Sequence, residues 1–158
     1  MRTLSISVLT IVLFSTGGKD CGNNNQAGNN AEIPNFNNSD SVSYKMKITV
    51  GPKTFNATLF NNPAATAFKA LLPLTIDMIE LNGNEKYFDL AKSLPNNSSN
   101  PGTIQSGDIM LYGSSTLVLF YTTFRTSYSY TKLGRIEDVS GLADALGTGD
   151  VTVRFELE

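Results

Sequence analysis

The sequence predicts a mainly β fold: a closed or nearly closed β-barrel of about eight short strands with two short helices. Three observations point there. Apolar and polar side chains alternate with period two through much of residues 43–158, turn residues break that alternation at short intervals, and only two stretches have helical composition. The preceding residues have a different character.

The first strand is expected from residue 43, where Tyr44, Met46, Ile48 and Val50 alternate with Ser43, Lys45, Lys47 and Thr49. Gly51-Pro52-Lys53 supplies turn chemistry, and Phe55, Ala57 and Leu59 continue the alternation, so the first two strands form an antiparallel hairpin. Asn62 followed by Pro63 reads as an N-cap with proline at the first helical position, and the helix is expected to run from Ala64 until Pro73 stops it after Leu72. Residues 74–81 read as a strand closed by Asn82-Gly83, with a shorter partner over 86–90 and a polar loop over 96–102. The runs 107–113 and 116–121 are nearly continuous in apolar residues around Gly113-Ser114-Ser115. They predict a tight hairpin buried on both faces, at the centre of the sheet. A strand over 133–137, a helix over 139–146 with Ser140 near its start, and a cleanly alternating strand over 151–157 complete the domain.

Residues 1–20 read as a signal peptide, because Met1-Arg2 is a positive start and residues 4–14 are mostly apolar but too short to cross a bilayer as a helix. Cys21 and the Gly22-Asn23-Asn24-Asn25 after it resemble a bacterial lipoprotein, in which the sulfur of Cys21 carries lipid. Gly18-Lys19-Asp20 departs from the small uncharged residues preferred there, so secretion without lipid stays open. Residues 21–42 read as a disordered Asn-rich tether. The expected location is outside the cytoplasm, in the cell envelope or secreted, with contact to membrane only through a lipid anchor.

Composition excludes much chemistry. The chain has no histidine, which removes Ser-His-Asp and Cys-His catalysis and the commonest transition-metal ligand. Its one cysteine has no partner for an internal disulfide. Net charge is −2, from 12 basic and 14 acidic residues spread along the chain, so no nucleic-acid partner is expected. No loop has the pattern that holds calcium or a phosphate, and neither cofactor nor metal is expected.

The run Gly107-Asp108-Ile109-Met110-Leu111-Tyr112-Gly113 with its following strand, then an aromatic loop, then Leu133-Gly134-Arg135-Ile136, a short helix and a final strand, resembles the minimal bacterial cyclophilin-like proteins over residues 44–158. The resemblance implies a groove where an Arg, a Gln, aromatic side chains and a His surround a proline ring and the carbonyl before it. This sequence has neither that His nor a Trp. Tyr130 stands nearest the histidine's place by spacing, and a shortened Asn-rich loop precedes Gln105. The function implied is an exported binding module for a peptide or small molecule without efficient prolyl isomerase activity. The alternative is a weak peptidyl-prolyl isomerase acting on exported proteins.

Isomerisation requires only a groove that favours the twisted amide and a donor aimed at it. Arg125 is the one cation in the aromatic segment 120–130 and is the candidate catalytic donor; the other reading is a solvated loop residue. Gln105 is a candidate for hydrogen-bonding a ligand backbone, or a turn residue. Tyr121, Phe124, Tyr128 and Tyr130 are candidate ligand-binding side chains, or packing at a barrel end. Arg135 is expected to pair with Glu137, Asp138 or a carboxylate across the sheet, and Asp77, Glu80, Asp89 and Asp108 are expected to stand apart from one another.

Overall fold

The computed structural model describes residues 43–158; the signal, lipidation and tether readings, Cys21 included, lie outside the described residues. Strands β1 (Tyr44–Val50) and β2 (Lys53–Leu59) form the expected hairpin, paired from Tyr44 opposite Leu59 to Val50 opposite Lys53. Helix α1 (Pro63–Lys69) follows. Asn62 caps it as the sequence predicts, its Oδ1 accepting from the Ala65 backbone N–H at 2.8 Å. The helix ends at Lys69, short of the expected Leu72. Residues 70–72 leave it through turn-type hydrogen bonds from Leu71 to Phe68 and from Leu72 to Lys69.

Strands β3 (Leu74–Leu81) and β4 (Glu85–Asp89) are joined at Asn82 and Gly83, whose φ values of 57° and 70° are the left-handed pair that a tight hairpin requires. The two-residue strand β5 (Thr103–Ile104) precedes the hairpin of β6 (Asp108–Tyr112) and β7 (Thr116–Phe120). A second two-residue strand, β8 (Phe124–Arg125), then pairs with β5. Strand β9 (Thr131–Ile136), helix α2 (Leu142–Leu146) and strand β10 (Val151–Leu157) finish the chain. The eight longer strands close into an antiparallel barrel in the order β1-β10-β3-β4-β7-β6-β9-β2. The β6–β7 hairpin is buried on both faces as expected, but a closed barrel has no centre for it to occupy.

Two departures have local causes. Strand β9 starts two residues before the expected Leu133 because its pairing with β6 shifts register between Ile109 and Met110. That irregularity leaves the neighbours Leu133 and Gly134 both buried and breaks the alternation. Helix α2 starts at Leu142, not at Val139. Gly141 is its N-cap at φ 74°, while Ser140 sits in a turn held by Asp138.

The interior is packed by alternate side chains of every long strand. Met46, Ile48, Leu59, Met78, Ile109, Leu111, Leu117, Leu119 and Phe155 are fully buried, and Phe68 of α1 meets Phe155 edge-on at 5.9 Å. Leu142 and Leu146 of α2 join the same core. A second, smaller cluster forms on the outside of β6 and β7. Met110, Val118 and Phe120 there are roofed by Ile104, Phe124 and Tyr130 from the segments around β5 and β8. That outer layer explains why the hairpin reads as apolar throughout.

Candidate functional site

Alternation along three neighbouring strands builds the floor of a trough on the outer face. Glu85, Tyr87 and Asp89 of β4 point outward, opposite Phe120, Val118 and Thr116 of β7, and Tyr112 of β6 lies beyond Thr116. The covering flap consists of residues 99–107 and 121–130. It is tied together by the β5–β8 pairing, by mutual backbone hydrogen bonds of Ser99 and Tyr130 at 3.0 Å, and by the Asn100 side-chain amide donating to the Ser127 carbonyl at 3.1 Å.

Phe124 lies against Phe120 with ring centroids 5.7 Å apart, Tyr130 meets Phe120 edge-on at 5.5 Å, and Tyr112 touches both Tyr130 and Tyr128, at 5.6 and 6.2 Å. Between floor and flap is an open trough of about 390 Å³. That volume lies in the range of small-ligand clefts. Aromatic rings of Tyr87, Tyr112, Phe124, Tyr128 and Tyr130 dominate its walls, with Leu81 and Val118. Its polar lining is Asn82, Asn84, Glu85, Asp89 and Thr116, and no cation lines it among the described residues.

The structure therefore brings Phe124, Tyr128 and Tyr130 together and separates the other sequence candidates from them. Tyr121 points to the interior side of β7, and its hydroxyl donates to Glu80 at 2.9 Å. Arg125 is exposed beside Phe124 on β8 and does not line the trough, since consecutive strand residues face opposite ways. Gln105 is placed as a turn residue: its backbone N–H donates to Asp108 Oδ2 at 2.8 Å and its carbonyl accepts from the Asp108 N–H at 3.0 Å. Arg135 lies opposite Asp108 across the sheet, 3.6 Å from its carboxylate, one of the partners the sequence allowed.

Sequence reasoning missed Tyr87 and Tyr112, which belong to strands remote in sequence from the aromatic loop. It also missed that Glu80 is not isolated. Glu80 and Lys86 face inward from β3 and β4 as an ion pair, and the fully buried Lys86 ammonium also donates to the carbonyls of Gly147 and Gly149 at 2.9 and 2.6 Å. Burial pushes the Glu80 carboxyl up. Hydrogen bonds from Lys86, Tyr121 and the Gly83 N–H outweigh it and hold the group below its ordinary range. Burial, then the hydrogen bond to Glu80, raises the Tyr121 phenol to about 12. In the trough, burial followed by the Glu80 charge pushes the Glu85 carboxyl up. Burial followed by the Glu85 charge does the same to the Tyr130 phenol.

The model of a family described as cyclophilin-like matches residues 48–156. Among curated proteins, none matches this chain. The solution structure of a hypothetical protein from Archaeoglobus fulgidus is similar at 16% identity with a TM-score of 0.52, over 77% of this chain and 99% of that one, a likeness of fold alone.

Proposed function

We propose, from the premise that this chain belongs to the cyclophilin-like family, that it is a binding module whose outer trough takes an extended peptide segment without isomerising it efficiently. The observation that carries this reading is the lining of the trough: five aromatic rings with amides and carboxylates, and no cation facing them among the described residues. Aromatic walls hold apolar side chains or a proline ring, and Asn82 and Asn84 have side-chain amides for a peptide backbone. Efficient isomerisation needs in addition a donor that stabilises the twisted amide. Arg125, the candidate for that role, is exposed outside the lining.

NMR exchange spectroscopy of the protein with a panel of Xaa-Pro peptides tests both halves of the reading. Peptide binding that shifts the rings of Tyr112, Tyr128 and Tyr130, with cis-trans exchange no faster than in free peptide, is the expected result. Exchange that is accelerated, and that Arg125→Ala abolishes without unfolding the protein, would replace the binding module by a weak isomerase.

We infer further that the domain works outside the cytoplasm. Support comes from the positive Met1-Arg2 start, the apolar stretch over residues 4–14 and the Cys21 followed by a polar Asn-rich run. Mass spectrometry of the protein recovered from a bacterial expression host distinguishes the cases: a new N-terminus at a lipid-bearing Cys21, one without lipid, or an unprocessed chain, which overturns the reading.

A further inference from the structure

The geometry points to a guanidinium as the group this trough selects: an arginine side chain of the bound peptide, stacked among Tyr112, Tyr128 and Tyr130 with its charge toward Glu85. The inference rests on the peptide-binding reading above and adds what the peptide must carry.

Charge complementarity is the first argument. Glu85 and Asp89 are both part of the trough, on either side of Tyr87 along the outward side of β4. Asp89 is engaged, its Oδ1 accepting from the Thr116 hydroxyl at 2.6 Å. Glu85 forms no ion pair among the described residues, although other carboxylates of the barrel have a lysine or arginine partner. Glu85 is a partly buried carboxylate in an aromatic setting with no cation of its own among the described residues, whereas the neighbouring Glu80 is already paired with Lys86 on the inside of the barrel.

Ring geometry is the second. Tyr112 meets Tyr128 edge-on at an interplanar angle of 89° and Tyr130 tilted at 52°, so its ring is parallel to neither. Tyr128 is 62% exposed and Tyr112 47%, large aromatic surfaces left open at the rim. Ring faces attract cations, and a planar, weakly hydrated guanidinium both stacks on a ring and offers paired N–H donors to a carboxylate. The side-chain Oδ1 of Asn84, a residue of the trough lining, is buried with no hydrogen-bond partner among the described residues and is a further acceptor for such donors.

The test is an NMR titration of the protein with an acetylated and amidated pentapeptide carrying arginine at its centre among alanines. A second peptide has neutral citrulline in place of the arginine. Binding of the arginine peptide at the tyrosine rings, about tenfold tighter than citrulline, is expected, as one charge-assisted contact contributes about 1.4 kcal/mol. Glu85→Gln should reduce that preference to about twofold while the rest of the spectrum stays unchanged, because only the charge is removed. Tyr128→Ala, at an exposed ring, should weaken the arginine peptide by about threefold. If both peptides bind the rings equally well, the guanidinium inference fails and the peptide-binding reading stands. If arginine preference persists in Glu85→Gln, the inference fails as well. If neither peptide moves the tyrosine rings while Xaa-Pro peptides do, the inference alone fails; if no peptide moves them, both readings fail.

Discussion

Lys86 and Glu80 are paired side by side across β3 and β4 on the inside of the barrel, and the ammonium between them is completely withdrawn from water. Its other two acceptors are the carbonyls of Gly147 and Gly149, in the turn that leaves α2, so one side chain ties β4 to the α2–β10 connection.

Removing that ammonium leaves the Glu80 carboxylate with only the neutral donors Tyr121 and the Gly83 N–H, and deprives the Gly147 and Gly149 carbonyls of the donor they have among the described residues. Lys86→Met is expected to cost about 3 kcal/mol, as breaking a buried pair from one side generally does. Urea denaturation followed by circular dichroism measures it; a midpoint unchanged from the parent would mean that the pair contributes no net stability.

Tyr121 connects this cluster to pH. The Glu80 carboxyl is held below its ordinary value, so its contribution to stability is fully present above the unfolded-state value, about 4.3, and is lost as pH falls through the lower folded-state value. Glu85, raised in the folded state, has the opposite sign: its term favours the fold at low pH and is lost as pH rises through the folded value. Tyr121→Phe removes one of the bonds that hold Glu80 down. Acid unfolding of the variant should therefore begin at higher pH than in the parent. Comparing the two proteins in a Glu85→Gln background isolates the Glu80 term, and identical acid midpoints there would rule out the Tyr121 hydrogen bond as its cause.

Gly134 is required by crowding. A Cβ there would come within 2.6 Å of the Thr58 carbonyl oxygen and 3.3 Å of the Leu59 Cα, both backbone atoms of the neighbouring strand. Gly134→Ala must push β9 away from β2, and overpacking of this kind costs about 1–3 kcal/mol. Chemical denaturation reads the loss, and wild-type stability in the variant would show that the two strands separate freely.

The barrel was legible because most strands are half-buried and their periods survive in the sequence: Tyr44 to Val50 and Val151 to Leu157 alternate strictly, and Asn62-Pro63 marks its helix by local hydrogen-bonding chemistry alone. Strand β8 was invisible, because Phe124 and Arg125 are extended only by pairing with Thr103 and Ile104 some twenty residues earlier. The trough was half legible. Phe124, Tyr128 and Tyr130 share one loop, so their proximity could be read directly. Tyr112 and Tyr87 reach it from β6 and β4 only once the barrel closes. A signal for them did exist: both are amphipathic aromatics in strands whose other residues are accounted for. Arg125 misleads for the same reason that Phe124 does not, since neighbours in a strand point in opposite directions.

That opposition gives a paired prediction about the flap. Phe124 packs on Phe120 in the outer cluster, whereas the exposed Arg125 contributes to the flap through backbone pairing with Thr103, which alanine preserves. Phe124→Ala should therefore loosen the flap by about 2 kcal/mol, less than a fully buried phenylalanine would cost, while Arg125→Ala changes it by less than about 0.5 kcal/mol. Amide hydrogen exchange resolves the effect by region. In Phe124→Ala, protection should fall at Thr126, whose N–H donates to the Gly102 carbonyl, and at Ser99 and Tyr130, which pair with each other. Protection in β1, β2 and β10 should stay at the parent level, because the outer cluster is separate from the interior core. Uniform loss across barrel and flap would show instead that the two layers unfold as one unit, and equal effects of the two substitutions would show that the flap is held by backbone pairing without its aromatic contact.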